Sequence, residues 1–330
     1  MPEGKKITGI AAGAAMLMLI LDGRTALTGA AEGIDLCIRT VIPALFPFFV
    51  LSPLLMGSIS PSWLQPVGNW LGLSPGTERL LLVGFLGGYP AGAQAVGTAF
   101  QDGTLSRTQA ERLLSFCSNA GPSFLFGMVA PLFSAPLAPW VLWLIQIGSA
   151  ILVSKTLPPA YGEKQKEITF PAVTLSQALA KAVKTMGIVC GWVVLLRIVI
   201  CFLQRWLLWL LPETIQIVMC GILELSNGCC MLADLEPEGL RFIICAGLLS
   251  FGGLCVAMQT GSVICGLSLK PYLRGKLLQA LFSLALAAIF ASGIPTVVRA
   301  LLILPGCAVF LILRPEKQKN NSSIPRTSVV

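Results

Sequence analysis

Apolar runs separated by short polar stretches order the chain from end to end: Ile7–Leu21, Cys37–Met56, Leu80–Phe100, Leu113–Phe133, Leu137–Val153, Met186–Leu203, Ile215–Leu232, Phe242–Leu267, Leu277–Ser292 and Thr296–Leu313. Several approach the ~20 residues that a helix needs to cross a bilayer core, and others fall a few residues short. The short alternating segments of a membrane barrel do not occur. Helices therefore supply the spans, because a helix satisfies its own backbone hydrogen bonds in hydrocarbon.

Two runs are broken at their centres. Leu80–Phe100 contains Gly87-Gly88-Tyr89-Pro90-Ala91-Gly92, and Ile215–Leu232 contains Glu224-Leu225-Ser226-Asn227-Gly228. Proline removes a backbone donor and glycine weakens a helix, so both centres favour unwinding. The pattern predicts a re-entrant hairpin at each, leaving eight full spans.

Leu113-Leu114-Ser115-Phe116 recurs as Leu248-Leu249-Ser250-Phe251, and each copy follows a broken run at nearly the same distance. Each half reads as span, hairpin, then a span with a polar interruption: Ser118-Asn119-Ala120-Gly121-Pro122 in the first half, Gly252-Gly253-Leu254 through Gln259 in the second. Three crossings separate the two starting spans, which makes the second copy inverted. Inverted repeats with paired interrupted segments are a layout of secondary transporters, whose solute sits at the midplane where the broken ends meet. The expected units are an N-terminal span and outer loop (1–35), a first repeat (36–153, hairpin 80–100) and a cytoplasmic linker (154–185). A second, inverted repeat (186–276, hairpin 215–232), two C-terminal spans (277–313) and a disordered basic cytoplasmic tail (314–330) follow.

Composition agrees: of 330 residues, 55% are hydrophobic and 12% charged, with mean hydropathy +0.82. A net charge of +8 raises nucleic acid as a partner. With the N-terminus in the cytoplasm, however, the inner segments collect 17 of the 23 basic residues while acidic residues divide evenly. That is ordinary positive-inside bias, which needs no nucleic-acid partner and places both termini in the cytoplasm. Histidine is absent, which removes the commonest general base and metal ligand. The eleven cysteines lie mostly within apolar runs, as small hydrophobes. No metal or other cofactor is called for.

The candidate site residues are polar groups inside the runs. Arg197 lies within Met186–Leu203, either holding a carboxylate or making a structural ion pair, with Glu224 as one partner, or reaching an interface. Glu224 either binds a solute, coupling proton or cation, or caps the hairpin tip. Ser226 and Asn227 stand beside it. Ser118 and Asn119 interrupt a span, Tyr89, Pro90 and Gln94 belong to the first hairpin, and Ser250 and Gln259 are weaker candidates.

The motifs Gly84-Phe85-Leu86-Gly87-Gly88-Tyr89-Pro90-Ala91-Gly92-Ala93, Ser118–Pro122, Gly221–Gly228 and Ser250–Leu254, with Ile42-Pro43-Ala44-Leu45-Phe46-Pro47-Phe48-Phe49, resemble the YlbJ (SpoVV) sporulation integral membrane proteins of the nucleoside-recognition, or Gate-domain, superfamily. The resemblance covers roughly residues 36–276. It implies a fold akin to concentrative nucleoside transporters and, for the sporulation branch, movement of dipicolinate from the mother cell toward the forespore. A carrier of a small anionic solute is the leading expectation, and an ion-coupled nucleoside or other small-solute carrier is the second. A non-transporting scaffold of spore or envelope assembly is the third, and a homo-oligomer stays open. An enzyme is not expected, because no histidine is available and every lysine falls outside the expected spans.

Overall fold

The computed structural model describes residues 2–58, 62–160, 173–264 and 266–313; the expected tail at 314–330 lies outside them. Among the described residues the regular structure is helical throughout. Six helical segments are long and apolar enough to cross a membrane: Gly23–Leu51, Ala138–Thr156, Leu175–Trp206, Glu238–Val263, Leu269–Phe290 and Thr296–Leu313. The eight expected spans exceed this by two. The first run ends a helix, α1 (Pro2–Leu21), whose apolar part is only Ala12–Leu21, and the run at 113–133 is split into two short helices.

The expected outer loop before Cys37 is also helical. α2 (Gly23–Leu36) continues through a wider π-helical turn, Cys37–Val41, into α3 (Ile42–Ser58), and the short α4 (Gln65–Trp70) follows. α10 (Leu175–Trp206) likewise begins inside the expected linker, because Thr174 accepts from the Gln177 backbone N–H and Gln177 returns a bond, a capping box that starts the helix early. α2 and α10 meet closely at small residues. A Cβ on Gly29 would lie 2.8 Å from Ile198 Cα, and one on Gly33 2.9 Å from Val194 Cα. This spacing of small residues lets helix backbones approach in a membrane.

Both broken runs fold as pairs of helices packed on each other. α5 (Glu78–Leu86) turns at Gly87–Pro90 into α6 (Ala91–Gln101), and α11 (Glu213–Leu223) turns at Glu224 alone into α12 (Leu225–Met231). Each pair crosses on two glycines: a Cβ on Gly92 would stand 2.8 Å from Gly84 Cα, and one on Gly228 2.2 Å from Gly221 Cα. Any side chain there would force the arms apart.

The two polar interruptions differ from one another. α7 (Arg107–Leu114) gives way to a non-helical stretch, and the chain becomes helical again at α8 (Pro122–Leu132). α13 (Glu238–Phe251) breaks only at Gly252, and α14 (Gly253–Val263) resumes at once, so Gln259 is helical rather than part of an extended break. Gly252 and Gly253 have φ of 82° and 81°, conformations that L side chains rarely adopt. Both copies of Leu-Leu-Ser-Phe sit at or beside the end of the helix preceding the break.

α9 (Ala138–Thr156), α13 and α15 (Leu269–Phe290) form the packed interior around these breaks, while α16 (Thr296–Leu313) lies at the periphery with Val297, Leu301, Leu304, Leu311 and Ile312 exposed. Such faces meet lipid.

Candidate functional site

The broken elements converge on one cavity of about 40 Å3. Its walls include Gly87, Gly88 and Tyr89 from the first hairpin tip, Ala120 and Gly121 from the first interruption, and Glu224, Leu225 and Ser226 from the second tip. Val256 and Gln259 come from α14, with apolar side chains of α10 and the π-turn–α3 segment completing it. At roughly 10–15 Å3 per water it holds a few waters. A larger solute requires the walls to separate.

Backbone contacts explain why the tips meet here. A Cβ on Gly84 would fall 1.5 Å from the Cys117 carbonyl oxygen, and one on Gly88 3.0 Å from the Gly121 nitrogen. The first hairpin thus lies directly on the first interruption. Tyr89 then reaches the second half, where its hydroxyl donates to the Leu249 carbonyl at 2.9 Å.

Glu224 is buried and forms the second tip. Its carboxylate accepts from the Ser226 N–H at 3.0 Å, the Asn227 N–H at 2.7 Å and the Asn227 side-chain amide at 2.7 Å. Both oxygens are committed to capping α12, although the residue also lines the cavity.

Of the sequence candidates, Tyr89, Glu224, Ser226 and Gln259 line the cavity. Asn227 is bound to Glu224, Pro90 caps α6, and Asn119 lies beside the wall residue Ala120. Ser118 and Ser250 are fully buried with hydroxyls that lack a hydrogen-bond partner. Gln94 is half-buried on α6, and its carbonyl accepts from Thr98. Arg197 lies outside the cavity lining: its Nη2 and Nε donate to Glu32 Oε2 of α2 at 2.6 and 2.9 Å. Its carboxylate partner is therefore Glu32 and not Glu224.

Lys276 requires a correction. The apolar pattern puts it in an inner segment ahead of the run at Leu277, whereas α15 starts at Leu269 and carries the lysine into the protein at 0% exposure. Its Nζ donates to Gln279 Oε1 at 2.8 Å, Asn119 Oδ1 at 3.1 Å and the Tyr89 hydroxyl at 3.5 Å. Gln279 Nε2 also donates to Asn119 Oδ1 at 2.7 Å and the Gln146 carbonyl at 3.1 Å. Gln146 Nε2 reaches the same Leu249 carbonyl as Tyr89, at 3.3 Å. Lys276, Gln279 and Gln146 were missed. A signal was present: Tyr272, Lys276, Gln279 and Ser283 are all buried on α15 at spacings of four, three and four, one face of a helix.

Helices of membrane-crossing length, joined by paired broken segments around a buried polar network, define a polytopic helical membrane protein with an internal cavity. No family model and no solved structure matches the chain. Its sequence is similar to Sporulation integral membrane protein YlbJ of Bacillus subtilis (strain 168), 27% identical over a match that covers 76% of this chain and 74% of that one. This similarity bears out the YlbJ family resemblance carried by the hairpin and interruption motifs.

Proposed function

We propose that the protein is a membrane carrier for a small polar solute, binding it where the two hairpin tips, the first interruption and α14 meet. The convergence of both hairpin tips, the first interruption and the helix that follows the second break on one cavity carries this reading. Helix breaks leave backbone groups free to bind a solute, and such breaks are tolerated at membrane depth where they line a cavity. In this reading α5–α6 and α11–α12 are re-entrant hairpins of two inverted repeats, and both chain ends face the cytoplasm. The protein carries a solute and catalyses no reaction.

The solute we propose is a small carboxylate of the dipicolinate type. The sporulation role in the relative's name is consistent with it, and Lys276 supplies a buried positive charge one side chain behind the cavity wall. In a sporulating cell the membrane would be the outer forespore membrane. One observation favours a second reading, a neutral or cationic solute such as a nucleoside: the charged residue lining the cavity is an acid, Glu224. Liposomes containing the purified chain, offered dipicolinate, other dicarboxylates and a nucleoside panel, separate the two. Dipicolinate uptake above that of empty liposomes is expected. Uptake of nucleosides alone would establish the second reading, and uptake of none by folded protein would point to a scaffold.

A further inference from the structure

Lys276 Nζ has a full set of three hydrogen-bond acceptors but no carboxylate beside it among the described residues. The Tyr89 hydroxyl gives its one proton to the Leu249 carbonyl, so it turns a lone pair to Nζ. The Asn119 amide N–H goes to the Phe116 carbonyl, leaving Oδ1 to accept. The Gln279 amide N–H goes to Asn119 and Gln146, leaving its Oε1 to accept. Three acceptors surround one nitrogen, which is the complement of an ammonium with three donors. All three are neutral, and no carboxylate bonds Lys276 among the described residues. The faces of Tyr89 and Tyr272, at 5.2 and 6.0 Å, add cation–π attraction but no compensating charge. An interior charge is poorly screened, so an anion entering nearby is attracted strongly.

Tyr89 stands at the junction, because it is both a hydrogen-bond partner of Lys276 and a wall of the cavity. It has the longest of the three Nζ contacts and sits on the tip of a hairpin, so it is the partner most readily withdrawn. We infer that Lys276 is the anchor of the anionic solute: a carboxylate oxygen takes the place of the Tyr89 hydroxyl at Nζ when that tip moves aside, and Tyr89 closes the site when it is empty. The inference rests on the carrier reading and deepens it, naming the group that recognises the anion. No covalent bond is made or broken: one hydrogen bond at Nζ is exchanged for another, and Asn119 and Gln279 keep their contacts with the ammonium.

The test compares wild-type full chain with K276Q and K276M in liposomes, using dipicolinate and uridine as probes and a melting curve in detergent as the control for folding. K276Q retains donors and loses the charge, whereas K276M loses both. Wild-type protein is expected to move dipicolinate, and both variants to lose at least tenfold in that flux while folded. A folded variant that moves dipicolinate with wild-type rate and KM overturns the inference. If neither variant folds, Y89F decides: removing the competing hydroxyl should lower KM for dipicolinate at least threefold, and an unchanged or raised KM overturns it. Wild-type protein that moves no anion defeats the carrier-of-anions reading in its own arm of the experiment, before any variant is compared, and the inference falls with it.

Discussion

The Tyr89 hydroxyl donates to the Leu249 carbonyl across 2.9 Å, joining the tip of the first hairpin to the last turn of α13 just before its break. The bond ties together the two halves of the proposed repeat. Gly252, immediately beyond, leaves room for the phenol: a Cβ there would lie 3.0 Å from the Tyr89 hydroxyl oxygen. A buried hydrogen bond contributes on the order of 1 kcal/mol, and the abandoned carbonyl adds a desolvation cost. Gln146 still reaches that carbonyl, which softens the loss. In Y89F, amide hydrogen exchange at residues 87–92 and 249–253 should quicken several-fold, with the rest of the chain unchanged. Equal exchange in both proteins would show that the bond does not hold the tip.

The glycine crossing of the first hairpin should be intolerant of even one carbon. A Cβ on Gly84 would come within 1.5 Å of the Cys117 carbonyl oxygen, and backbone cannot give way as a flexible side chain can. Overpacking of this kind costs about 1–3 kcal/mol or more. G84A should therefore lower the melting temperature in detergent markedly, or abolish folded yield. G187A is the control, since a Cβ there meets nothing within 4 Å, and it should match or slightly exceed wild type. Similar melting of the two variants would mean that the hairpin does not seat on Cys117 as described.

Glu224 was open between a solute ligand and a cap, and its geometry gives a definite expectation. Both oxygens accept, two bonds falling on Oε2 and one on Oε1. Glutamine offers one acceptor oxygen and turns an NH2 toward a remaining N–H donor. E224Q should therefore destabilise the second tip by about 1–2 kcal/mol, as loss of a helix cap does. Thermal melting in detergent measures it, with E224A expected to lose more than E224Q. If E224Q melts with wild type while E224A does not, charge is not what the cap requires.

How much of this was legible in the residues depends on the scale of the feature. Gly87–Pro90 announces the first break because proline and glycine act locally, whereas the second falls at Glu224, whose side chain caps the next helix while Gly228 stays helical. Cys37 hid the true start of its helix, because Gly23–Leu36 carries Arg24, Glu32 and Asp35 and reads as a loop until Arg197 of α10 is seen to pair with Glu32. Lys276 hid for a related reason. One charge just ahead of an apolar run reads as a flanking residue, and only the partners Asn119 and Tyr89, each more than 150 residues away in sequence, make its burial tolerable. Such long-range satisfaction leaves no local trace, although the Tyr272–Ser283 stripe does.

Arg197 shows the same effect in the opposite direction. Within Met186–Leu203 a guanidinium looks like a solute ligand, yet α2 brings Glu32 to it at 2.6 Å. A second pair, Arg205 with Asp22 at 3.0 Å, ties the same two helices together. The Glu32 side chain is 46% exposed, so water or lipid headgroups screen the pair, and its worth is about 0–1 kcal/mol. Removing one partner leaves the other charge alone beside apolar surface, which costs more than the pair contributes. R197M and E32Q should therefore each lower the melting temperature, and the double variant should recover part of the loss. Because Arg197 lies outside the cavity lining, the folded fraction of R197M should carry dipicolinate within about twofold of wild type, a span of roughly 0.4 kcal/mol. Loss of flux in well-folded R197M, with binding weakened in parallel, would instead return this guanidinium to the solute path and shift the anion site toward α10.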